Sequence, residues 1–81
     1  MYYVYILKSL KDKDRFYIGL TNNLERRLKE HDEPSSDNYT YRYRPWKLAT
    51  YVVFKNDSTA KKFESYLKTS SGRTFLQRHL I

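Results

Sequence analysis

Three observations predict a small α/β domain in which a three-stranded antiparallel sheet is flanked by helices, in the order β-β-α-β-α-α. Two runs, residues 2–8 and 46–54, are short, aromatic and β-branched, the pattern of strands. A third, residues 15–19, lies just behind the first across the charged turn Lys11-Asp12-Lys13-Asp14, the layout of a hairpin. Elsewhere apolar residues recur at spacings of three and four behind polar caps, the mark of amphipathic helices. Eighty-one residues accommodate one such domain, spanning 1–81.

In chain order, residues 2–8 show no polar alternation, which suits a strand covered on both faces and therefore central in its sheet. The second strand is expected to close at Gly19, where glycine permits a tight exit. Thr21-Asn22-Asn23 supplies oxygen acceptors for the free amides of a first helix over 24–31, anchored by Leu24 and Leu28. From Asp32 to Arg44 the chain is polar, with Pro34 and the alternating Tyr39-Thr40-Tyr41-Arg42-Tyr43-Arg44, read as a loop that becomes extended near its end. Trp46 to Phe54 is the third strand, with Trp46 as core. Asn56-Asp57-Ser58 caps a second helix over about Thr59 to Lys68, with Ala60, Phe63 and Leu67 in one stripe. Ser70-Ser71-Gly72 is expected to break it, leaving Arg73 to Leu80 as a short third helix.

The formal net charge is +7, and basic domains of this size commonly contact phosphate backbones. The excess is uneven: residues 46–81 carry seven Lys or Arg against two acids, while Asp32, Glu33 and Asp37 make an acidic loop. With no cysteine, disulfide frameworks and thiolate metal sites are excluded. No apolar run reaches the roughly 20 residues of a membrane span, and the first residues lack the pattern of a secretory leader, so the expected location is cytoplasmic, away from membranes.

On the first helix Arg27 and His31 are four apart and displaced by about 60° from the Leu24–Leu28 seam, so they project together beside it. On the second helix Glu64 and Lys68 form a matching polar pair, about 100° from Phe63 and Leu67. Tyr17 and Gly19 share one face of their strand, and Tyr5 joins them if it pairs opposite either position. Two phenols, a guanidinium, an imidazole, a carboxylate and an ammonium converging in one cleft suit phosphodiester cleavage. A carboxylate holds a divalent metal, a guanidinium stabilises phosphate charge, and a phenol positions or deprotonates water.

Tyr3-Val4-Tyr5-Ile6-Leu7, then Tyr17-Ile18-Gly19-x-Thr21-x-x-Leu24-x-x-Arg27-x-x-x-His31, then Glu64 in Ala60-x-x-x-Glu64-x-x-x-Lys68, resemble the GIY-YIG nuclease family along essentially the whole chain. Arg44-Pro45-Trp46-Lys47-Leu48 and Ser71-Gly72-Arg73 are similar to small stand-alone members, related to the N-terminal nuclease domain of the bacterial excision-repair endonuclease. The resemblance implies a metal-dependent DNA endonuclease, linked to repair or recombination, with a single Mg²⁺ or Mn²⁺ held by Glu64 and water. It further implies Tyr17 as general base or water-positioning phenol, Tyr5 as its partner, and Arg27 as phosphate ligand. His31 stands where members carry histidine or tyrosine. Two positions depart from the pattern: Tyr3 replaces the first glycine, and Leu20 stands where several nucleases have a lysine or other polar residue.

Arg42, Arg44, Lys61, Lys62, Lys68 and Arg73 are the expected nucleic-acid contacts, with Arg78 in the same basic footprint. The tyrosines among Arg42 and Arg44 suit stacking on single-stranded bases or packing on the sheet. The expected partner is DNA, branched or single-stranded. Leu20 motivates an alternative, a nucleic-acid-binding module of the same fold with weak or no turnover.

Overall fold

The computed structural model describes residues 1–31 and 41–81, with His31 as backbone. Strand β1 (Tyr2–Ser9) pairs antiparallel with β2 (Phe16–Thr21) on one side and with β3 (Trp46–Phe54) on the other, giving the order β2-β1-β3. The central place of β1 accounts for its unbroken apolar run, since Val4, Tyr5, Ile6 and Leu7 are buried on both faces. Helices α1 (Leu24–His31), α2 (Asp57–Leu67) and α3 (Ser70–His79) complete the expected β-β-α-β-α-α order.

Alternation along the strands gives the sheet two faces with different work. On one, Val4, Ile6 and Ile18 pack against Ala60 and Leu67 of α2 and Leu76 of α3, with Phe54, Phe63 and Phe75 closing the core. On the other stand Tyr3, Tyr5 and Leu7, with Tyr17 and Gly19 beside them on β2. α1 lies on this second face, where Leu24 and Leu28 border a shallow depression with Tyr3 and Tyr51. Its start is capped as the sequence predicts, with the Arg26 amide donating to Asn23 Oδ1 at 3.1 Å and the Asn23 amide to Thr21 Oγ1 at 3.1 Å.

Three boundaries differ from the sequence expectation. β2 runs past Gly19 to Thr21, and neither glycine has a positive φ. Gly19 is therefore no turn residue; it stays in the ladder opposite Tyr5. α2 begins at Asp57 because Asn56 Oδ1 accepts from the amides of Ser58 at 2.8 Å and Thr59 at 3.3 Å. α3 begins at Ser70 because Thr69 caps it, its hydroxyl accepting from the Gly72 amide at 3.1 Å. Gly72 thus lies inside a helix instead of breaking one.

Tyr41 and Arg42 are helical, where an extended approach was expected, and Tyr43 turns the chain into β3. Arg44 folds back over the Tyr41 ring, 4.1 Å from its centroid, which an extended segment would prevent. The buried Ser9 hydroxyl fixes this turn: it donates to the Tyr43 carbonyl at 2.5 Å and accepts from the amides of Lys11 at 3.1 Å and Asp12 at 3.0 Å. Tyr39 and the acidic residues Asp32, Glu33 and Asp37 lie outside the described residues. No helix among the described residues is long and apolar enough to cross a membrane.

Candidate active site at the outer edge of the second strand

Because β1 is central, Tyr5 reaches the sheet edge only by crossing β2, and it crosses at Gly19. A Cβ at Gly19 would stand 2.3 Å from Tyr5 Cζ and 2.4 Å from its Oη, inside the ring's own volume. The absence of a side chain opens the window through which a fully buried ring delivers its phenol to the edge. There Arg27 Nε donates to Tyr5 Oη at 3.2 Å, and Arg27 Nη1 donates to Glu30 Oε1 at 3.1 Å. The Tyr17 ring lies beside Tyr5, with centroids 6.2 Å apart, and meets the edge of Trp46 at 6.4 Å. Trp46 is thus a wall of the tyrosine row and only partly core.

The electrostatics follow from this packing. Burial pushes the Tyr5 phenol up to about 12, the negative potential of Tyr17 and Glu64 adds to the rise, and the bond from Arg27 opposes it. Tyr5 accordingly remains a neutral phenol throughout the physiological range. Burial pulls the Arg27 guanidinium down, but its hydrogen bonds with Tyr5, Glu30 and Tyr17 outweigh that and hold it above the usual arginine value. Arg27 is a fixed cation with its orientation set by its partners.

Glu64 arrives at the same edge from the opposite face. On α2, Asp57, Lys61, Glu64 and Lys68 succeed one another at spacings of four, three and four, so they form one stripe. Two open grooves flank β2 along this stripe. One, of about 440 Å³, is lined by Arg15, Phe16, Tyr17, Lys68 and Arg73 among others. The second, of about 430 Å³, is lined by Leu20, Asn22, Arg26, Arg27, Glu30 and Asp57 among others. Glu64 sits between Asp57 and Lys68 on the stripe, and hence between the grooves. Its carboxylate is paired with Lys68 Nζ at 3.6 Å, and its side chain is 23% exposed.

Of the residues singled out in the sequence, the fold joins Tyr5, Tyr17 and Arg27 directly and brings Glu64 within their electrostatic reach. Lys68 and Arg73 line the groove beside Tyr17. Lys61 pairs with Asp57 at 3.1 Å, while Lys62 is exposed and lines neither groove. Arg42 and Arg44 border a separate depression with Lys11 and Tyr41. The His31 side chain lies outside the described residues. Sequence reasoning missed Arg15, Arg26 and Glu30. Glu30 was within reach of it, since a carboxylate three residues after an arginine on a helix shares its face.

A divalent cation suits this donor set. Hard cations take oxygen ligands, and Mg²⁺ in particular keeps several waters while binding one or two carboxylates and substrate phosphates. Among the described residues there is no cluster of three His, Cys, Asp or Glu side chains, and Glu64 is a carboxylate near enough to the Tyr5 phenol to raise it.

Comparison with known proteins agrees with the geometry. The family model described as the GIY-YIG catalytic domain matches residues 1–77. A UPF0213 protein of Clostridium perfringens is 42% identical over 77 residues, covering 95% of this chain and 81% of its own length. A UPF0213 protein of Bacillus licheniformis is 37% identical over 70 residues, covering 86% of this chain and 70% of its own. The structure-specific endonuclease subunit SLX1 of Debaryomyces hansenii is 36% identical over 73 residues, which are 83% of this chain and 21% of that larger protein.

Proposed function

The chain belongs to the GIY-YIG family, and from that premise we propose that it is a metal-dependent DNA endonuclease acting in repair or recombination, with its site at the outer edge of β2. The observation that carries the reading is the hydrogen bond of Arg27 to a phenol delivered through Gly19, with Tyr17 alongside and Glu64 on the facing stripe. The name of the SLX1 relatives, structure-specific endonuclease subunit, supports DNA of a particular shape as substrate.

In this reading Arg27 receives the scissile phosphate and neutralises the charge that grows on it. Tyr5, neutral and buried, holds the guanidinium in place. Tyr17, lining the open groove, takes a proton from the attacking water and passes its own phenolic proton to solvent as the water oxygen bonds to phosphorus, the phosphodiester P–O bond breaks and the departing oxygen takes a proton from solvent. Glu64 would hold Mg²⁺ or Mn²⁺, which when bound supplies Lewis-acid stabilisation of the phosphate and leaving oxygens. Lys68 and Arg73 bind flanking phosphates, as do Lys61, Lys62, Arg42 and Arg44 farther out. Leu20 packs against the core, and Arg26 supplies a cation in the groove that Leu20 borders.

Purified protein incubated with branched, flapped and plain duplex DNA in Mg²⁺ or Mn²⁺ tests this. Glu64→Gln is expected to abolish cutting and Tyr17→Phe to slow it by about 10²–10⁴-fold, with Lys29→Ala as a surface control at the wild-type rate. Salt-dependent binding with no metal-dependent cleavage of any substrate would overturn the enzyme and leave a binding module.

A further inference from the structure

Lys68 occupies two settings at once. Its ammonium is 3.6 Å from Glu64 Oε2, and its side chain, 53% exposed, lines the groove shared by Tyr17, Arg15 and Arg73. The two partners differ in freedom. Glu64 is the less exposed end at 23%, and every other carboxylate in the ion pairs among the described residues is at least 40% exposed. The carboxylate is therefore the anchored group, and the ammonium, on four rotatable methylenes, is the one able to leave.

We infer that Lys68 is an exchangeable counter-ion of the site: it neutralises Glu64 while neither a divalent cation nor DNA is bound, and moves to a substrate phosphate in the adjoining groove when DNA arrives. The inference rests on the reading of Glu64 as metal ligand. A divalent ion on that carboxylate repels an ammonium a few ångströms away, whereas a phosphate in the groove attracts it. Without Lys68, an anchored carboxylate would face the incoming polyanion bare. With it, cation and DNA each favour the other, because both draw the ammonium the same way.

The test compares Lys68→Met, which keeps most of the aliphatic stem, with Lys29→Met, which removes the same charge from another i,i+4 pair on α1. Mn²⁺ affinity is read by EPR of the free ion, without DNA. Lys68→Met is expected to bind Mn²⁺ about 3- to 10-fold more tightly than wild type, and Lys29→Met to match wild type. In EDTA, the slope of log affinity against log salt for duplex DNA is expected to be less negative by about one in Lys68→Met. Equal Mn²⁺ affinity in wild type and Lys68→Met would overturn the exchange and leave Glu64 standing as ligand. If neither protein binds Mn²⁺, both the exchange and the metal-dependent reading fall.

Discussion

Tyr5 is fully buried while its oxygen accepts from Arg27, and the balance between those two facts sets its protonation. The folded phenol titrates at about 12 against an ordinary value of 10.0. Between those two values the unfolded chain has released a proton that the folded chain retains. The stability this group contributes is therefore complete below pH 10 and lost as pH rises toward 12, a loss on the order of 3 kcal/mol. Tyr5→Phe keeps the ring and deletes the titration. At pH 7 it is expected to cost roughly 0.5–1.5 kcal/mol, because Arg27 loses an acceptor. Urea unfolding at a series of pH values is then expected to show wild-type stability falling more steeply than the variant's above pH 10. Parallel curves would show that the phenol does not titrate differently in the two states.

At the scale of elements, both glycines serve close approach, one of a ring and one of a helix, and the two approaches differ in how much they yield. A Cβ at Gly72 would stand 1.7 Å from the Tyr66 carbonyl oxygen and 2.6 Å from the Leu67 Cα, so the start of α3 is pressed on the end of α2 backbone to backbone. At Gly19 the obstacle is the outer end of the Tyr5 ring. Gly19→Ala is accordingly expected to cost about 1–3 kcal/mol, and Gly72→Ala more than 4, since neither helix can retreat without uncovering Leu67 and Leu76. Thermal unfolding ranks them, and a Gly72 variant as stable as the Gly19 variant would refute the packing argument. The same two residues mark where the sequence was legible. The capping of α1, the span of β3 and the centrality of β1 followed from local chemistry, because each depends on near neighbours in the chain. Gly19 and Gly72 were assigned to a turn and a break because their contacts, Tyr5 and Tyr66, belong to elements whose placement the sequence does not state. For the site, the candidates Tyr5, Tyr17 and Arg27 were legible as residues, but the register that seats Tyr5 opposite Gly19 was not. Trp46 and the helical Tyr41–Arg42 were misjudged because their surroundings are tertiary.

For the whole molecule, a net charge of +7 becomes useful through its distribution. Arg15, Arg26, Arg27, Lys68 and Arg73 line the two grooves along β2. Arg15 also lies 5.0 Å from the centroid of the Tyr43 ring, and Arg42 lies 5.5 Å from the same centroid. The basic surface thus passes from the grooves across Tyr43 to Arg42 and on to Arg44 and Lys11. Each neutralised duplex phosphate adds about −0.9 to the slope of log affinity against log salt, so five groove cations alone correspond to about −4.5. If DNA follows the surface beyond the grooves, Arg42 and Arg44 steepen that by nearly two further units. The double variant Arg42→Ala/Arg44→Ala is therefore expected to bind more weakly with a slope shallower by about two, while cleavage at saturating DNA continues because both residues border a depression separate from the two grooves along β2. Fluorescence anisotropy over a salt series in EDTA measures the slope, and single-turnover cutting in Mg²⁺ measures the rest. An unchanged slope would confine the DNA to the β2 edge, whereas a loss of cutting at saturation would bring the Tyr43 turn into the positioning of the scissile phosphate itself.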